Sequence, residues 1–114
     1  MSKDEGFLLD ILIAARTLRR FSEGMDWKDF QADEVKQSAV RYQEQVMGEA
    51  VGRVSSEYRV THREFPWDKL IGMRHRLVHG YRDVELRRVW RIVEKDLDRI
   101  IRVLESLVPP EDSI

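Results

Sequence analysis

Leu86-Arg87-Arg88-Val89-Trp90-Arg91-Ile92-Val93-Glu94-Lys95-Asp96-Leu97-Asp98-Arg99-Ile100-Ile101-Arg102-Val103-Leu104-Glu105-Ser106-Leu107 places apolar side chains at Leu86, Trp90, Val93, Leu97, Ile100, Leu104 and Leu107, in alternating steps of four and three. Such a period puts them on one side of a helix, as a seam for packing against other helices. Asp83 suits the N-cap of this segment, and Pro109-Pro110 ends it, because proline lacks the amide and clashes with the preceding turn. The decisive element is therefore a long amphipathic helix.

Working outward, the rest of the chain repeats the theme. Ser2-Lys3-Asp4-Glu5 has the form of a capping box, followed by Leu8, Ile11, Leu12, Ala15 and Leu18 at helical spacing and by Gly24 as a stop. After a polar turn through Trp27 and Phe30, Asp33 caps a second helix whose stripe reads Val35, Ala39, Tyr42, Val46, Ala50, Val54 and Tyr58, with both tyrosines in the core. Gly48 and Gly52 lie inside it, each costing up to about 1 kcal/mol relative to alanine, so close packing against a neighbour is expected there. Glu49, between them, faces inward on this reading. Pro66 opens a shorter third helix with Trp67, Leu70, Ile71, Leu77 and Val78 as its apolar residues, and Gly80 closes it. The fold class expected is all-α: an antiparallel four-helix bundle with short extra turns, whose regular stripes leave surface for pairing two copies.

A chain of 114 residues is of ordinary single-domain size, and the helical domain is assigned to residues 1–108 with a disordered tail at 109–114. Hydrophobic residues make up 42% and charged residues 36%, with only 6 Gly and 3 Pro, a balance that suits long helices. There is no cysteine, which excludes disulfides and thiolate metal sites and fits a cytoplasmic location. No signal-peptide pattern or membrane span is recognisable, so a soluble protein is expected. A net charge of -1 argues against a general nucleic-acid coat. The average conceals a basic stretch, however, in which Arg74, Arg76, Arg82, Arg87, Arg88 and Arg91 face only Asp83 and Glu85.

That stretch contains the candidate chemistry: Gly72-Met73-Arg74-His75-Arg76-Leu77-Val78-His79-Gly80-Tyr81. Arg74 lies four residues from both Leu70 and Val78, on the apolar stripe, where a guanidinium needs an anionic partner. Two partners fit: Glu49, in a purely structural bridge between helices, or a phosphate, whose oxygens match the forked donors of arginine. His79 sits beside the helix-ending glycine, presented at a terminus. Imidazole generally titrates near pH ~6.5 and is the usual proton carrier at neutrality, although a lone histidine is more often structural. His75 and His79 share a face at a spacing that also serves zinc, but the intervening residues carry no glutamate, the arginines repel a cation, and only His62 offers a third imidazole, so no metal is assigned. Tyr81, just past Gly80, falls in a turn where its hydroxyl can be reached. No phosphate loop, catalytic serine triad or dinucleotide fingerprint is present.

At this stretch the sequence resembles the HEPN superfamily, marked by an arginine, four to six intervening residues and a histidine. Arg74 and His79 match with four intervening. The resemblance is closer to its HepT branch, in which the motif extends to Arg-x4-His-x-Tyr, matched by Tyr81. Gly48-Glu49-Ala50, Pro66-Trp67, Ile71-Gly72-Met73-Arg74 and Val89-Trp90 with Val93 and Asp96-Leu97 agree with that branch as well. One departure is His75, where many relatives carry asparagine.

The resemblance implies a metal-independent endoribonuclease toxin, without cofactor, cutting RNA in a cleft shared by a homodimer. Its catalytic residues are then His79 for proton transfer and Arg74 for the phosphate, with His75, Arg76 and Arg82 as supporting or RNA-binding residues. It further implies a type VII-like toxin–antitoxin system, in which a minimal nucleotidyltransferase antitoxin neutralises the toxin by placing AMP on Tyr81. The competing class is a non-catalytic helical module that binds RNA, nucleotide or a partner protein.

Overall fold

The computed structural model describes residues 1–80 and 85–109, and among these all regular structure is helical. The elements are α1 (Lys3–Ser22), α2 (Trp27–Gln31), α3 (Glu34–Arg53), α4 (Ser56–Thr61), α5 (Trp67–His79), α6 (Leu86–Arg91), a π-helical turn (Ile92–Asp96) and α7 (Leu97–Leu107). Four rods form the bundle: α1, α3, α5, and the last helix made of α6, the π-turn and α7. The expected all-α bundle with short extra turns is what the chain forms. Tyr81, Arg82 and the Asp83 cap, like tail residues 110–114, lie outside the described residues.

Contacts at the helix ends fix the directions. Lys36 at the start of α3 donates to the Phe21 carbonyl at the end of α1 (2.9 Å), while Ser55, just past α3, donates from its amide and hydroxyl to Asp4 at the start of α1 (2.8 and 2.7 Å). The two rods therefore run antiparallel. The Arg16–Glu105 and Arg19–Asp98 ion pairs give the same answer for α1 and α7. Between them sits a core that includes Leu8, Ile11, Leu18, Val40, Met47, Val51, Ile100 and Leu104, all fully buried.

The first helix is built as its sequence dictates. Ser2 accepts from the Glu5 amide while the Glu5 carboxylate accepts from the Ser2 amide, closing a reciprocal capping box, and Gly24 adopts φ +74° beyond the end. Asp26 and Asp29 form a second such box, so the segment expected to be a polar turn is instead the short helix α2, with Phe30 buried against Trp90 at a ring separation of 4.8 Å.

The second predicted helix needs correction in two respects. It stops at Arg53, because Val54 is extended (ψ 136°) and the Ser55 hydroxyl caps α4 by accepting from the Tyr58 amide. Its inward face is also rotated from the expected stripe. Val35 and Tyr42 are 78% and 63% exposed, Tyr58 is half-buried, and the residues turned inward are Val40, Glu44, Met47, Ala50 and Val51. A glutamate in the middle of this face hides it from any pattern built on apolar residues alone.

The last helix departs from its regular seam for a different reason. The Leu97 amide donates to the Ile92 carbonyl, five residues back, so one extra residue is accommodated in the π-turn. Val89 and Trp90 are buried before the turn, Ile92 at its start, and Leu97, Ile100 and Leu104 after it, while Leu86, Val93 and Leu107 are only partly covered.

Candidate active site

Helix α5 is an amphipathic rod held at its start by the Trp67 indole, which donates to the His62 carbonyl at 2.8 Å. Trp67, Leu70, Met73 and Leu77 are buried against the bundle. At the other end the Gly80 amide donates to the Arg76 carbonyl (2.9 Å), and Gly80 follows as the C-cap. His79 is thus the last helical residue, and it is exposed, as is His75 one turn earlier. Their ring centroids lie 4.7 Å apart with the planes inclined at 48°. The structure brings these two imidazoles together on open surface.

Arg74 is placed differently. It is half-buried where α5 crosses α3, directly over Gly48: a Cβ added to that glycine would lie 2.3 Å from the Arg74 Cβ and 3.0 Å from the Leu70 carbonyl oxygen. The close packing expected at Gly48 is real, and Arg74 is what packs there. At Gly52 the expectation fails, since among the described residues nothing lies within 4 Å. The Arg74 Nε is buried without a hydrogen-bond partner among the described residues. Glu49 is not its partner, because it is exposed and pairs with Arg53 at 3.1 Å. Five residues of helix separate Arg74 from His79, about 7.5 Å of rise and roughly 140° of rotation. The two side chains therefore leave α5 on different sides.

The remaining candidates distribute around this helix. Arg76 is exposed, with Nη1 3.5 Å from the Cβ position of Gly72. Arg87 lies over the Trp27 ring at 4.1 Å. His62, the third imidazole, is engaged elsewhere: it stacks on Tyr58 (3.9 Å between centroids) and its Nδ1 is 3.0 Å from the Tyr58 carbonyl. Among the described residues, no three His, Cys, Asp or Glu side chains are grouped to hold a metal ion.

One polar residue that sequence reasoning missed is Glu44, fully buried on the same face of α3 as Gly48 and one turn before it. Neither carboxylate oxygen has a hydrogen-bond partner among the described residues. Burial pushes its pKa well above the ordinary carboxylate range; Arg41 opposes the shift and Asp96 adds to it. The available signal was a carboxylate spaced four and three residues from Val40 and Met47, both apolar and inward.

A comparison with known families matches residues 11–107 to the ribonuclease HepT-like model, which spans the bundle and includes Gly48, Arg74 and His79. The chain belongs to the HepT-like family. It is 30% identical over 101 residues to "Probable ribonuclease HepT" of Thermococcus cleftensis, covering 89% of this chain and 92% of that protein. It is also 29% identical over 107 residues to a protein of Methanocaldococcus jannaschii named "Putative RNase", covering 92% and 98%. No solved structure matches. In this HepT-like chain the motif arginine is seated at a helix crossing and the motif histidine is exposed at a helix end, beside His75.

The contrast between the two glycines is measurable. Gly48→Val should destabilise the fold by about 1–3 kcal/mol or more, because the new side chain meets backbone and a Cβ. Gly52→Ala should be neutral or stabilising by up to about 1 kcal/mol, since it fills open space and improves helix propensity. Urea unfolding followed by circular dichroism reads both.

Proposed function

We propose that this HepT-like chain is an endoribonuclease that cleaves RNA without metal, using His79 to move protons and Arg74 to hold the phosphate. The observation that carries this reading is the setting of the motif: an exposed imidazole at the end of α5, and an arginine whose Nε is buried without a partner among the described residues. RNA supplies its own nucleophile. The 2′-hydroxyl attacks the adjacent phosphorus and gives its proton to a base, and the 5′-oxygen takes up a proton as its bond to phosphorus breaks. Acid–base help of this kind contributes roughly 10²–10⁴-fold, and a guanidinium fork suits the charge that builds on the phosphoryl oxygens. His75, against the His79 ring, and Arg76 support the site.

If the reading holds, His79→Ala abolishes RNA cleavage while leaving the circular dichroism spectrum unchanged, because an exposed ring contributes little to the core. Arg74→Lys is impaired too, since an ammonium lacks the fork, and wild-type activity survives EDTA. Normal cleavage by His79→Ala overturns the assignment, and RNA binding without cleavage by wild type favours a non-catalytic module.

The active unit in this proposal is a homodimer. Arg74 and His79 leave α5 on different sides, which supports a cleft completed by the motif helix of a second copy. Light scattering should give twice the chain mass in the range where RNA is cut. A monomer that cleaves at full rate overturns this part.

The proposal extends to regulation in a toxin–antitoxin pair, with a nucleotidyltransferase as partner and Tyr81 as acceptor. Transfer of AMP forms a bond from the tyrosine oxygen to the α-phosphorus of ATP, releasing pyrophosphate and the phenolic proton. The added anion, two residues from His79, offsets the basic stretch and obstructs RNA. Incubation with that partner, ATP and magnesium should add about 329 Da per AMP and abolish cleavage, whereas Tyr81→Phe stays active and gains no mass. Equal mass gain by Tyr81→Phe removes Tyr81 from the scheme.

A further inference from the structure

We infer that Glu44 is a positioning residue for the motif helix, acting by receiving the Arg76 guanidinium in the small cavity between α3, α5 and α6. The inference rests on the ribonuclease reading for its consequence but not for its geometry. Glu44 is the one fully buried charged side chain among the described residues, and both of its oxygens lack hydrogen-bond partners there. Buried polar groups in folded proteins are almost always paired, so a carboxylate in this state marks an interaction the fold is built to make.

The cavity beside it has a volume of about 30 Å³ and is lined by Glu44, Met73, Arg76, Leu77, Arg88 and the α6–π-turn residues Val89 and Ile92. Two cations line its wall. Arg41 approaches from the same helix as Glu44, and Asp96 from the π-turn opposes it with a like charge. Lys69 is already matched to Asp96 at 2.8 Å.

Of the two arginines that line the cavity, Arg76 and Arg88, the geometry favours Arg76. Its carbonyl accepts the Gly80 amide that closes α5, so its backbone belongs to the turn from which His79 projects. Its guanidinium now reaches back toward Gly72. Moving from that position into the cavity, it would pair with Glu44 and tie the last turn of α5 to α3. Gly48, one turn along the same face, already fixes Arg74 against that helix. Glu44 and Gly48 together would then set both ends of the Arg74–His79 segment, one through a charge and the other through a steric fit.

Two measurements test the pair, one of them independent of cleavage. The Glu44 carboxyl, followed by carbon-13 NMR, should titrate at higher pH in Arg76→Gln than in wild type, because a cation that favours the ionised form is lost; Arg88→Gln should leave it in place. In cleavage assays Glu44→Gln and Arg76→Gln should each lower kcat about tenfold with KM within about twofold, and the double variant should be no slower than either single one. Glu44→Gln keeps the shape of the side chain and should remain folded by circular dichroism. If it fails to fold, Arg76→Gln, altered at an exposed position, still carries the titration. An unchanged titration in Arg76→Gln, additive losses in the double variant, or full kcat in Glu44→Gln overturns the inference. If wild type cleaves no RNA while the titration shift is present, the pair stands and the ribonuclease reading falls.

Discussion

The crossing of α3 and α5 at Gly48 is the constraint on which the rest of the structure turns. With no side chain at this position, the two helices approach until the Arg74 Cβ occupies the space a residue at position 48 would fill. This contact fixes how α5 is rotated about its axis. Trp67, Leu70, Met73 and Leu77 then face the bundle, and His75 and His79 necessarily face away. The cost of a glycine inside a helix, about 1 kcal/mol, is exchanged for a defined placement of the arginine. Fold and candidate site are thus joined in one contact.

Much of this was legible in the sequence, and the reasons are specific. The capping box at Ser2 and Glu5, the Gly24 stop and the Gly80 terminus are local signals, decided by hydrogen bonds within one turn of chain, and each element ends where these residues place it. The Arg74–His79 spacing was readable because it is short and lies on a single helix. What was misread depended on tertiary context. The inward face of α3 contains a glutamate, so an apolar-only stripe selected Val35 and Tyr42, which are exposed. The pairing of Arg74 with Glu49 was plausible by proximity in sequence pattern, but Glu49 lies toward Arg53 on the outer side of α3.

Glu44 shows why the surroundings of the candidate site were only partly visible. On a linear reading it is one of 21 acidic residues, with nothing to distinguish it. Only the packing of three helices around it reveals a carboxylate held from water, a condition that costs several kcal/mol for an unpaired ion and that folded proteins rarely leave uncompensated. The imidazoles present the opposite case. Their candidacy was signalled by sequence, and the fold leaves both side chains exposed at the end of α5.

The π-turn at Ile92–Asp96 has a consequence for how the last rod divides its labour. An extra residue shifts helical phase by about 100°, so the segments before and after it present different sides to the bundle. Upstream, α6 packs on α2 and α3, next to the Glu44 cavity; downstream, α7 packs along α1. A continuous α-helix would have to satisfy both sets of neighbours with one register. Because the turn resets the register, the half beside the site and the half that closes the bundle answer to separate packing demands. Sequence drift along α7 can therefore proceed without rotating Arg88 or Val89 away from the motif helix.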